Sequence, residues 1–216
     1  MPPKPKCTRE EIIEAAFALA REKGMDAVVA REVGKRLNTT PTPIFTVFRN
    51  MDEVKAEVFA KAQAHYLDYL QGCFDYTPAF KEFGLRWIRY AKEEPRLFSL
   101  LFLSRPEIWN TSAIREPISR LLDEMTDNVA QIFSLKRDHA ADVLNQMTVH
   151  GLGIATMCIN GIADFDDRTI LRLIGENCTA LVLRHHIADG TLDQIDFETM
   201  AKANPTYPTR RSDHNA

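Results

Sequence analysis

The chain has 216 residues, of which 45% are hydrophobic and 26% charged, with a net charge of −3. This is the balance of an ordinary soluble globular protein of one to two domains. It holds no uncharged apolar run long enough to cross a membrane, and its start, Met-Pro-Pro-Lys-Pro-Lys, lacks the apolar stretch of a signal peptide.

In chain order, the first predicted element is a helix opened by Thr8-Arg-Glu-Glu11, a capping box, with the hydroxyl at the cap and a carboxylate three residues on. Ile13, Ala16, Phe17 and Ala20 form its apolar stripe, and Gly24 ends it. Residues 28–54 read as a short helix, a tight turn and a second short helix. Val33 and Leu37 share one face of the first, and Asn38 stands where the chain leaves it. Asn tolerates the positive φ needed there almost as well as Gly. Thr40 is a candidate cap for the next helix, predicted over 41–47. Pro41 falls on its first position, and Pro43 lies within the first turn, where N–H groups have no intrahelical partner. Pro43 also pushes Thr42 away from helical angles, so an irregular start is expected. Ile44, Val47 and Phe48 recur at helical spacing and lock this segment to its neighbours. Asn50 or Asp52 then caps a long helix carrying Val54, Val58, Phe59, Ala62 and Leu70.

Beyond residue 51 the apolar residues keep a three-and-four spacing, which predicts helices over 51–74, 78–93, 95–103, 114–135, 137–161 and 167–187. The fold class is all-α. Residues 202–216, with two prolines and few apolar groups, read as a flexible tail. The four cysteines, Cys7, Cys73, Cys158 and Cys178, show no Cys-x-x-Cys spacing. That argues against a disulfide framework or structural zinc, fits a reducing cytoplasm, and leaves no cofactor or metal expected. No nucleophile–base motif or phosphate-binding glycine loop appears, so no enzyme is expected.

Residues 8–59 resemble the N-terminal domain of the TetR/AcrR family of bacterial transcription regulators. The matching residues are Ile12-Ile13-x-x-Ala16 with Gly24, Arg31-Glu32-Val33-Gly34, Leu37-Asn38-Thr39-Thr40, Ile44-Phe45-x-x-Phe48 and Asp52-Glu53-Val54. The resemblance implies a three-helix helix-turn-helix domain over 1–52, and a helical ligand-binding and dimerisation domain over 53–201. It implies a ligand-responsive regulator, a repressor binding a pseudo-palindromic operator in double-stranded DNA as a homodimer, with a small-molecule effector. The alternative is a helical small-molecule carrier that has lost DNA binding. Four departures stand out: Val29 replaces a Thr cap, Asn38 a Gly, Phe45 a phosphate-binding Tyr, and Met51 a phosphate-binding Lys.

The last two departures shift the phosphate grip to other cations. Residues 1–55 hold 10 Lys and Arg against 8 Asp and Glu, a local excess within an acidic chain. The DNA candidates are Arg31, Lys35, Arg36, Arg49 and Lys55, with Lys4, Lys6 and Arg9 on the arm, and Thr40, Pro41, Thr42, Phe45 and Thr46 in the reading segment. No Arg, Lys, Asn or Gln lies between 41 and 48 to make a bidentate base contact. Candidate effector contacts are Arg86, Trp87, Phe102, Trp109, Met125, Met147 and His150, each with core packing as the competing role. The nearly uncharged segment 143–162 and the stripe of the last helix are the expected dimer interface, through Leu152, Ile159, Ile174, Cys178 and Leu181.

Overall fold

The computed structural model describes residues 7–104, 112–195, 197–198, 201 and 209–210. Lys4, Lys6 and Trp109 lie outside them. Among the described residues there are eight α-helices: α1 (Arg9–Lys23), α2 (Ala30–Arg36), α3 (Met51–Tyr69), α4 (Ala79–Glu93), α5 (Pro95–Phe98), α6 (Ser112–Phe133), α7 (Arg137–Ile159) and α8 (Asp167–Asp189). The chain divides into two compact units. One comprises Met1–Asp68 with Glu94–Arg115, the other Tyr69–Glu93 with Glu116–Ala216. We call the first the head and the second the effector unit. The division is not a single cut near residue 52, because α5 returns to pack against α1.

In the head, the capping box forms as predicted. The Glu11 amide donates to the Thr8 hydroxyl at 3.2 Å, and the Thr8 amide donates to the Glu11 carboxylate at 2.8 Å. The buried stripe of α1 is Ile12, Ala16, Phe17 and Ala20; Ile13 is only half-buried. Val33, Ile44, Phe48, Val54, Val58 and Phe59 join it in the head's core. Asn50 caps α3 by accepting from the Glu53 amide at 2.9 Å. The helix ends at Tyr69 rather than 74, and a 3-10 turn over Cys73–Asp75 follows. The predicted helix 95–103 is in fact α5 plus a π-turn over Ser99–Leu103.

The N-terminus of α2 shows the cost of Val29. The residue has the extended angles of a cap, φ −122° and ψ 151°, but no side-chain oxygen to satisfy an amide. Replacing a good cap by an apolar residue costs about 1 kcal/mol, so Val29→Thr is expected to gain about that much, read as a rise in Tm.

In the effector unit α4, α7 and α8 pack together, and α6 adds Met125, Val129 and Phe133 to their core. Asp166 caps α8 by accepting from the Thr169 amide at 2.8 Å. Arg89 of α4 pairs with Asp167 in the first turn of α8, and the guanidinium holds that carboxyl below its ordinary range. Buried His186 lies 3.0 Å from the Phe133 carbonyl through Nε2 and 2.9 Å from the Thr191 hydroxyl through Nδ1. A carbonyl only accepts, so Nε2 carries a proton and donates it to Phe133. Thr209–Arg210, within the expected tail, pairs antiparallel with Tyr76–Thr77. No helix among the described residues is long and apolar enough to cross a membrane.

Candidate nucleic-acid interface

The reading segment differs from its prediction. Residues 41–47 do not form an α-helix; a 3-10 turn over Ile44–Thr46 takes its place. The amides of Ile44, Phe45, Thr46 and Val47 each donate to the carbonyl three residues back, at 3.0 to 3.2 Å. Only Phe48 makes an i−4 bond, to Ile44 at 2.9 Å. The physical cause is the Pro-Thr-Pro sequence. Pro41 and Pro43 supply no N–H, and Pro43 biases Thr42 against α-helical angles. The Thr40 hydroxyl does not cap the segment, since no side-chain cap bond forms there. The Thr46 hydroxyl donates to the Pro43 carbonyl at 2.6 Å and stiffens the turn from within.

The turn before it is as predicted. Asn38 has φ 51°, the left-handed conformation that Asn tolerates. The Thr39 amide returns to the Gly34 carbonyl at 2.9 Å. A Cβ on Gly34 would sit 3.0 Å from the Thr39 carbonyl oxygen, so only a bare backbone lets the turn fold this tightly against α2.

One side of the reading segment faces inward. Ile44 and Phe48 are fully buried, and the Arg9 guanidinium lies 4.7 Å from the Phe48 ring centroid while bonding Glu57 of α3. The other side is open: Thr40, Pro41, Thr42, Phe45 and Thr46 are all exposed, and Phe45 is 48% exposed despite its apolar ring.

The cations around the segment fall into two groups. Arg36 is held by Glu22 of α1 through two bonds of 2.6 and 2.8 Å, and Lys35 by Glu32 at 2.6 Å. Each cation keeps its carboxyl partner below the ordinary carboxylate range through that hydrogen bond. Arg9 is likewise engaged with Glu57. By contrast Arg31 and Lys55 make no ion pair among the described residues, and Arg49, 92% exposed, has only Glu53 at 3.8 Å. The readily available positive charge is therefore Arg31, Arg49 and Lys55. The engagement of Arg36 was not legible from residue type, because Glu22 is fourteen residues away and meets it only once α1 and α2 cross, whereas Lys35 pairs with Glu32 three residues back on its own helix.

A capped α1, a short α2, a tight left-handed turn and an exposed reading segment anchored by buried Ile44 and Phe48 define a helix-turn-helix DNA-binding head. Residues 12–58 match the family model of the bacterial regulatory proteins, tetR family, and the head is that of a TetR family regulator. The family is one of DNA-binding transcription regulators. No curated protein matches the chain in a sequence comparison.

The effector candidates separate on inspection. Trp87 and Met147 line one apolar cavity of the effector unit. Met125 does not line it: it is fully buried core. Phe102 belongs to the head, where its ring packs on Tyr66 and Phe98. Arg86 is a clamp, bonded to Glu82 at 2.6 Å and to the Gln71 carbonyl, so its charge is already engaged. His150 does not line the cavity either; its buried Nε2 has no hydrogen-bond partner among the described residues. Of the expected interface residues, Ile174 and Cys178 are buried in their own unit and line the same cavity, so they offer no surface to a second chain. Leu152, Ile159 and Leu181 are partly exposed. Val149 and Ile162, both within the 143–162 segment, and Ile187 at the end of α8 are exposed apolar side chains, at 74%, 70% and 63%; they were not singled out by number because they fall off the buried stripe.

Proposed function

We propose that this protein is a ligand-responsive repressor that binds a pseudo-palindromic operator as a homodimer. The observation that carries the reading is the open side of the 41–47 segment, held by a buried Ile44–Phe48 anchor, in a head whose Arg31, Arg49 and Lys55 are not closely paired with a carboxylate among the described residues. Base readout rests on methyl and hydroxyl groups of Thr40, Thr42 and Thr46, with Pro41 and Phe45 against thymine methyls. Phosphate register and DNA shape carry the rest of the specificity. Dimerisation supplies what one weakly cationic head lacks, and the exposed apolar strip of Val149, Leu152, Gly153 and Met157 on α7 is the face offered to the second copy. Two heads then reach major grooves about 34–36 Å apart, or a longer whole-turn spacing. The effector acts by binding two arrangements of the heads with different affinity, with α3 as the chain's direct connection from the head.

Salt titration of binding to a generic duplex tests the electrostatic part. Arg49→Ala is expected to reduce the log–log salt slope by about 0.9 per head, the loss of one phosphate contact. Glu22→Gln is expected to do the reverse, because it releases Arg36 from its carboxylate: tighter non-specific binding with a steeper slope. Unchanged slopes in both variants would contradict the placement of the DNA on this face. Absence of any complex at low salt would favour the helical carrier.

A further inference from the structure

Within the effector unit, α4, α6, α7 and α8 line a cavity of about 40 Å³ that opens to the surface beside exposed Thr148. Its wall includes Phe80, Phe83, Trp87, Val143, Met147 and Ile174. Thr148 and Cys178 are its polar members, and burial pushes the Cys178 thiol up to about 12, so it stays neutral. Among the described residues no Asp, Glu, Lys, Arg or His lines the cavity. Gly151 shapes the wall, since a Cβ there would lie 2.8 Å from the Trp87 ring.

We propose that this cavity is the effector site and takes an uncharged molecule built around a single aromatic ring, a proposal that rests on the ligand-response reading above. The absence of any charged wall group decides the first part, because an ion entering an apolar cavity without a counter-charge is strongly opposed by desolvation. Three aromatic side chains and the Met147 sulfur decide the second: edge-to-face and sulfur–aromatic contacts reward a flat ring over an aliphatic chain of equal size. An apolar cavity of about 150 Å³ holds benzene. This one is smaller, so the ring displaces Met147, which is unbranched and adapts its shape readily. That side chain is held by a 3.2 Å hydrogen bond from the Asn177 amide to its sulfur, which ligand entry breaks. The Thr148 hydroxyl donates to the Leu144 carbonyl at 2.8 Å, leaving its oxygen to accept one proton from a ligand hydroxyl.

The test uses the full-length chain with Trp109→Phe, which leaves Trp87 as the sole tryptophan. Toluene and benzyl alcohol are titrated against benzoate and benzylammonium, following Trp87 emission and Tm. The expected result is a saturable emission change and a raised Tm with the two neutral rings alone. Val143→Leu, which fills part of the cavity, is expected to weaken their binding about tenfold. Equal binding of the ionic analogues, or no binding of either neutral ring, would overturn the proposal; the wild-type wall with charged and neutral probes suffices even if the filled variant folds poorly. Adding operator DNA separates the two readings. Neutral rings that bind saturably yet leave operator affinity unchanged would sink ligand response while leaving the binding site intact.

Discussion

Phe48→Ala is expected to destabilise the head by about 4 kcal/mol and to abolish operator binding. Deleting a buried phenylalanine side chain removes its transfer free energy and leaves a cavity, together about 3–5 kcal/mol. Phe48 is 1% exposed, so nothing softens that loss. It also ends the reading segment: its amide closes on the Ile44 carbonyl, and its ring supports the Arg9 guanidinium that bonds Glu57. Removing the ring therefore loosens the reading segment from both α1 and α3. Urea unfolding followed by circular dichroism gives the stability change, and a duplex titration gives the binding change. Phe48→Leu keeps most of the buried volume and is expected to retain measurable DNA binding. An alanine variant with unaltered operator affinity would mean that the segment is not positioned by this anchor.

Arg86→Met is expected to cost the effector unit about 3 kcal/mol. The Glu82 side chain is 8% exposed, and the Arg86 guanidinium is its ion-pair partner, while also bonding the Gln71 carbonyl and lying 5.5 Å from the Tyr76 ring centroid. Breaking a buried pair leaves one charge without compensation, which costs about 3–5 kcal/mol; the partial exposure of Arg86 puts this case at the low end. Replacing both members by apolar residues of similar volume is often close to neutral. The double variant Arg86→Met with Glu82→Leu is therefore expected to recover most of the loss in urea unfolding. If the single variant is as stable as wild type, Arg86 is not a clamp, and its earlier candidacy as a ligand contact reopens.

The helical layout was readable from the sequence because local signals and the apolar period agree. The Thr8 capping box, the positive φ at Asn38 and the Asp166 cap each rest on residues within four positions of one another. The reading segment was misjudged by its helical apolar spacing. Ile44, Val47 and Phe48 satisfy that pattern on a 3-10 turn as well, and Pro41 with Pro43 decide between the two. The site was legible in part. That Thr40, Thr42 and Phe45 face outward followed from which neighbours carry the apolar stripe. The split between held and available cations did not, since it depends on Glu22 and Glu57 arriving from other helices. The effector candidates were ranked by residue type alone, which cannot tell a cavity wall such as Trp87 from a filled core such as Met125.

Selection of duplexes from a random pool by the full-length protein, with the mass of the selected complex, tests the central claim most directly. The account predicts an enriched inverted repeat with its half-sites a whole number of helical turns apart, bound by at least two chains, and lost when Arg31, Arg49 and Lys55 are neutralised together. No enriched sequence, or an enriched single half-site held by one chain, would contradict it.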